Sequence, residues 1–197
     1  MKLSKGVEIG AGDYAASFLL KNRDVFDQIE LYEPNPVLFE DLRSKIGNFD
    51  RVNLFDFAVS NYSSDGDIFF NVGRSSFLKG AESFLNLTHK ESPDEGTLPE
   101  EYLIGLSTSV KVKNIKEIDN EIDFLSLTCN GCEFNILSAM QSRPKMVRVC
   151  AYVHNQHHRQ YYSKISQWMS SNDYILNGHN SNKLGTFSEL FFVKSPR

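Results

Sequence analysis

Long apolar runs, a cysteine framework and a surplus of basic charge are all missing from this chain of 197 residues. Without about 18 consecutive apolar residues or a charged-then-apolar leader, neither a membrane-spanning helix nor a signal peptide is expected. The three cysteines, Cys129, Cys132 and Cys150, are too few and too odd in number for a disulfide framework. A reducing, cytoplasmic setting is the expectation. A formal net charge of -4 gives no general attraction for phosphate backbones, so nucleic acid is not the expected substrate. The Asn-x-Ser/Thr triplets at Asn61 and Asn86 are read as chance matches in a chain without a secretion signal. Repeats, low-complexity tracts and composition breaks are lacking too, which leaves a single domain over residues 1–197.

What is present is an alternation of strand-like and helix-like segments. Val7–Ile9 reads as a buried strand, followed by a glycine turn and a helix over Ala15–Lys21. Ile29–Glu33 reads as a second strand. Asn35 then suits a helix N-cap, with Pro36 at the first helical position, where no amide hydrogen is needed. Leu38, Leu42 and Ile46 give that helix an apolar face, and a third strand is expected over Arg51–Val59. Asp67–Val72 reads as an extra strand. The stretch 73–101 is polar and weakly periodic, which suits an inserted substrate loop or lid. Val110–Val112 is a further short strand. Regularity resumes with a strand at Ile122–Leu127 and a helix presenting Ile136, Leu137 and Met140. A strand at Val147–Val153 and a helix presenting Tyr161, Ile165, Trp168 and Met169 follow. Tyr174–Asn177 and Leu190–Lys194 close the chain as a hairpin around SNKLG. The pattern predicts an α/β fold: a doubly wound, mostly parallel sheet with an antiparallel strand near its edge, covered by helices in three αβα layers.

In such a sheet the ligand lies at the carboxyl ends of the strands, and the first strand-to-helix turn lines its crevice. Here that turn is Gly10-Ala11-Gly12-Asp13-Tyr14-Ala15, and Glu33 closes the second strand 23 residues after Gly10. A carboxylate there can accept hydrogen bonds from both hydroxyls of an adenosine ribose. Spacing alone admits a nicotinamide dinucleotide and an NAD-dependent oxidoreductase, or a plain tight turn with Glu8 solvated. Glu8, read as pointing into the crevice, would repel a pyrophosphate and attract a ligand carrying an ammonium and a sulfonium. S-adenosyl-L-methionine carries both.

The ordered set VEIGAG, LYEPNP (31–36), FAVSN (57–61), RSSF (74–77) and DFLSLTCNGCEFNIL (123–137) resembles the FkbM-type class I S-adenosylmethionine-dependent methyltransferases. It spans roughly the first 140 residues, and LYEPNP is its most specific piece. The resemblance implies a Rossmann-like seven-stranded sheet and O-methyl transfer to a hydroxyl of a sugar or glycan. It places Glu8, Gly10 and Gly12 around the methionine part, Glu33 on the ribose, and Asp56, Phe57 and Ala58 near the adenine. Ala11, Pro34, Ser76 and Thr128 complete the implied cofactor contacts. The start of the chain so close to the first strand suggests a methyltransferase domain from a longer protein, fused to glycosyltransferase domains that assemble a glycan.

One block departs from the family. Its usual Lys-x-Asp-x-Glu-Gly-x-Glu stretch here reads Ser126-Leu127-Thr128-Cys129-Asn130-Gly131-Cys132-Glu133. Two carboxylates that could bind a divalent cation or take a proton are replaced, so no metal is expected. His154, just beyond the strand ending AYV, is the first candidate for general base, because a neutral imidazole accepts a hydroxyl proton near neutral pH. Asn130 and Glu133 are the other candidate catalytic groups, and His157 and His158 stand close by in sequence. Cys129-x-x-Cys132 is read as packing rather than as a metal or redox pair. A non-catalytic cofactor-binding relative is the third functional class, made credible by Thr128 and Asn130.

Overall fold

The computed structural model describes residues 2–47, 49–70, 83–86, 106–129, 132–152, 156–181 and 187–196. Its main sheet has seven strands. In chain order these are β1 (Leu3–Ile9), β2 (Phe26–Tyr32) and β3 (Val52–Phe55), then, after an insertion, β8 (Phe124–Leu127), β9 (Met146–Tyr152), β10 (Tyr174–Ser181) and β11 (Phe187–Lys194). Their spatial order is β10-β11-β9-β8-β1-β2-β3. All neighbours run parallel except β11, which is antiparallel to both β9 and β10. The expected doubly wound sheet with a reversed strand near one edge is therefore present.

The insertion supplies β4 (Ala58–Ser60), β5 (Ser64–Phe70), β6 (Ser83–Asn86) and β7 (Leu106–Asn114). These build a second sheet, in the order β4-β7-β5-β6. Here the structure corrects the sequence reading. The single strand expected over Arg51–Val59 breaks at Asp56-Phe57, and its two halves belong to different sheets. Asp56 is exposed where the chain leaves the main sheet, while the Phe57 ring turns inward against Tyr32 and Phe55. Val110–Val112 extends into the nine-residue β7, and β6 falls within the stretch read as a lid.

Among the described residues, four helices cover the main sheet: α1 (Phe18–Lys21), α2 (Pro36–Ile46), α3 (Glu133–Ala139) and α4 (Gln156–Ser171). Pleating divides each strand between two faces. Val7 and Ile9 of β1, Leu125 and Leu127 of β8 and Val147 and Val149 of β9 join one core with α3 and α4. Phe26, Ile29 and Leu31 of β2 and Phe124 of β8 join the other with Leu19 and Leu20 of α1 and Leu42 and Ile46 of α2. The α4 face is the expected one: Tyr161, Ile165 and Met169 are buried and Trp168 packs at the margin.

Helix α2 begins as its sequence predicts, with the Asn35 Oδ1 accepting from the Val37 and Leu38 amides and Pro36 in the first turn. Helix α1 begins three residues later than Ala15, because Ser17 takes a non-helical backbone (φ -53°, ψ 122°) and accepts from the Leu20 amide as N-cap. Among the described residues, no helix is long and apolar enough to cross a membrane.

Candidate functional site at the carboxyl ends of β1, β2 and β8

The glycine turn is fixed from two sides. Gly10 and Ala11 donate to the Tyr32 carbonyl at 2.9 and 3.2 Å, and Thr128 donates to the Ile9 carbonyl at 2.9 Å. Gly10 adopts φ +75°, and a Cβ there would sit 2.4 Å from the Thr128 carbonyl oxygen. Only glycine lets the turn lie this close to the end of β8. Gly12, at φ +72°, donates its amide to the Glu33 Oε2 at 2.7 Å. Further along, the Tyr14 amide donates to Asp41 of α2, whose carboxyl is held below its usual range by Lys45.

Glu33 is 3% exposed, and its second oxygen accepts from the Asn35 amide at 2.9 Å. Burial pushes its pKa up to about 7, against the pull of the Asn35 and Gly12 amides. One carboxylate thus clips the glycine turn to the entry of α2. Gly10, Ala11, Gly12, Glu33, Pro34 and Thr128, all singled out from sequence, converge on one crevice end of the sheet. Asp56 stands exposed at the end of β3, next along the same edge. Phe57 and Ala58 are buried; the Phe57 ring lies beneath the Lys113 ammonium, 4.3 Å away.

Glu8 is placed differently from the expectation. It is 1% exposed and lies beneath the first turn of α1 instead of facing the crevice. Its oxygens accept from the Ser17 hydroxyl (2.6 Å), the Phe18 and Leu19 amides (3.0 and 3.1 Å) and the Ser126 hydroxyl (3.0 Å). The cause is pleating: with Val7 and Ile9 in the core under α3 and α4, Glu8 must face α1. Burial raises its pKa and the donors, led by Ser17, lower it. Glu133 is also interior, 1% exposed, and accepts from the Tyr161 hydroxyl of α4 at 3.3 Å. That contact makes it a tie between α3 and α4.

Sequence reasoning missed Arg148. This β9 side chain, 8% exposed, donates to Glu189 of β11 (2.5 Å), Ser126 (2.8 Å) and Thr128 (3.3 Å), and its guanidinium covers the Phe18 ring. The available signal was a lone charge inside the apolar strand MVRVCAY.

His154, Asn130, Gly131, Ser75 and Ser76 lie outside the described residues, as does most of 73–101. Burial raises the thiol pKa of both Cys129 and Cys132, which are free and close enough to interact. Among the described residues, no group of three or more His, Cys, Asp or Glu side chains is placed to hold a metal ion.

No family model and no curated protein matches the chain. Solved structures do. The FkbM methyltransferase of Methylobacillus flagellatus KT superposes with a TM-score of 0.60 at 14% identity, over 96% of this chain and 43% of that one. The chain therefore spans less than half the length of that protein. Fibrillarin of Aeropyrum pernix, solved with natively bound S-adenosyl-L-methionine, gives 0.52 at 6% identity, over 98% and 67%. The precorrin 8W decarboxylase of Methanobacterium thermoautotrophicum gives 0.50 at 12% identity, over 98% and 83%. Identities this low establish the fold alone, and that fold is the Rossmann-like α/β sheet of the class I methyltransferases.

Proposed function

We propose that the chain binds S-adenosyl-L-methionine and transfers its methyl group to a hydroxyl oxygen of a sugar or glycan. The observation that carries the cofactor choice is what Glu8 does to α1. In dinucleotide-binding folds the pyrophosphate rests on open amides at the start of the helix after the first strand. Here Glu8 takes the Phe18 and Leu19 amides and Ser17 takes that of Leu20, so the phosphate seat is filled by a carboxylate. An adenosine joined to an amino acid needs no such seat. The reversed strand β11 also departs from the parallel order of the dinucleotide fold.

The residues present suit that ligand. Gly10 and Gly12 leave room for close approach to the turn, and the Glu33 carboxylate, already anchored by two amides, is available to the ribose hydroxyls. Asp56 is the accessible group on the adenine side, and Thr128 borders the methyl end. The cofactor would supply a methyl group on a sulfonium. As the acceptor oxygen bonds to that carbon, the carbon–sulfur pair leaves with sulfur and the hydroxyl proton must go to a base. We assign that proton to His154, with Asn130 orienting the acceptor. The sugar acceptor rests on the resemblance of the ordered motifs to FkbM-type enzymes.

Calorimetry with S-adenosyl-L-methionine, S-adenosyl-L-homocysteine and NAD tests the cofactor. Binding of the first two and not the third is expected; binding of NAD alone overturns the reading. Release of S-adenosyl-L-homocysteine in the presence of sugar acceptors tests the reaction, and cofactor binding without turnover on any acceptor would favour a non-catalytic relative. His154→Ala should lower kcat by about 100-fold or more while leaving cofactor affinity within about two-fold.

A further inference from the structure

We propose that Arg148 is a positioning residue of this cofactor site, holding both walls of the glycine turn from a strand that never reaches it. The inference rests on the reading of that crevice as an S-adenosyl-L-methionine site and adds the part that fixes its shape.

Strand register places Glu8 of β1 opposite Ser126 of β8, and Ser126 opposite Arg148 of β9. Three polar side chains therefore line up across the middle of the sheet, on the face covered by α1. One guanidinium nitrogen of Arg148 lies 2.8 Å from the Ser126 hydroxyl, 3.3 Å from that of Thr128 and 3.6 Å from the Glu8 carboxylate. Its Nε donates to Glu189 on the far side, at 2.5 Å. The plane of the group lies over Phe18, with 4.6 Å from Cζ to the ring centroid.

Two paths lead from that single group to the glycine turn. One runs through Thr128, whose carbonyl is the surface against which Gly10 is packed. The other runs through Ser126 to Glu8, and from Glu8 to Ser17, Phe18 and Leu19 at the start of α1. The two paths close on residues 10–17 from opposite sides. A fork-shaped donor set is needed to serve Glu189, Ser126 and Thr128 together, which a lysine ammonium on a flexible stem does not reproduce.

The test uses four variants of the full chain. Amide exchange at Phe18 and Leu19 is followed by NMR without cofactor, and S-adenosyl-L-methionine affinity is measured by calorimetry. Arg148→Met should speed exchange at both amides and weaken binding about 10- to 100-fold, the loss expected for charged hydrogen bonds. Thr128→Val should weaken binding while leaving both amides protected. The double variant Ser126→Lys/Arg148→Met returns a cation beside Glu8 and should restore amide protection without restoring the Thr128 contact. If Arg148→Met does not fold, Arg148→Lys takes its place, with protection kept and affinity lowered.

Wild-type affinity and protection in the Arg148 variants would overturn the proposal. So would protection lost evenly across the sheet and not recovered in the double variant, which marks a purely structural ion pair. If the wild-type protein binds no S-adenosyl-L-methionine, the cofactor reading fails, and the exchange data in cofactor-free protein still decide what Arg148 holds.

Discussion

At the scale of single residues, Gly10 and Glu33 carry the sharpest consequences. A methyl group on Gly10 meets the Thr128 carbonyl oxygen at 2.4 Å and its carbon at 2.7 Å, and neither backbone atom can swing aside. Gly10→Ala should therefore destabilise the fold by about 2 kcal/mol or more, combining left-handed strain with a backbone clash. Gly12→Ala shares the strain but meets only the Ala16 Cβ at 3.1 Å, so urea titrations should show a smaller loss, about 1 kcal/mol. Glu33 titrates two properties in opposite directions. Its pKa rises from 4.5 to about 7 on folding, so the protonated form favours the fold. That contribution is whole below the unfolded value and is lost as the pH rises through about 7. A shift of this size is worth at most about 3 kcal/mol. The ionised form, however, is the one that accepts from ribose hydroxyls. Between pH 5 and 8, then, wild-type Tm should fall relative to that of Glu33→Gln while wild-type S-adenosyl-L-methionine affinity rises, and the affinity of Glu33→Gln should not follow.

At the scale of elements, the two helices on the α1 face show what local sequence can and cannot specify. The start of α2 was legible because its cap is local: Asn35 bonds residues two and three positions ahead, and Pro36 needs no amide hydrogen. Asn35→Ala should cost about 1 kcal/mol by thermal denaturation. The loss should stay near that figure because the buried Asn35 Nδ2 has no partner to forfeit among the described residues. The start of α1 was not legible, because Ser17 is held by a residue on another element. Its hydroxyl donates to Glu8, and its backbone is non-helical where helical periodicity alone continues back to Ala15. The same holds for the polar row. GVEIG, FLSL and MVRVC each display a lone polar residue in an apolar strand, but only register aligns Glu8, Ser126 and Arg148. The charge of Glu8 is legible in the sequence, but its direction is not, because the parity of β1 about a two-faced core turns it toward α1. Its carboxylate fills the amides at the start of α1, and its charge is directed to Ser17 and Arg148.

At the scale of the whole molecule, the order of the main sheet follows from strand–helix alternation and a closing hairpin, both of which are written in short-range pattern. The second sheet is not. The apolar run FDFAV hides the point at which the chain leaves one sheet for another, and the antiparallel pairing of β5 with β7 joins residues about 40 positions apart. What unites the two sheets is shared core. Phe57 and Val59 around β4, and Ile115 just after β7, belong to the same buried cluster as Val7, Ile9, Leu125 and Leu127 of the main sheet and Ile136 and Leu137 of α3. The turn bearing Ile115 is itself braced, with Ser63 donating to Glu117 and accepting from the Asn114 amide. An appendage with its own stability would unfold on its own, whereas an insertion built on the common core would unfold with everything else. Ile115 is fully buried at that joint, so Ile115→Ala removes contacts from both sides at once. The substitution should cost about 2–5 kcal/mol and move one cooperative transition to lower denaturant, with fluorescence of Trp168 in α4 and far-ultraviolet dichroism of the sheets following the same curve. Two separated transitions in either protein would instead assign the β4–β7 sheet a stability of its own.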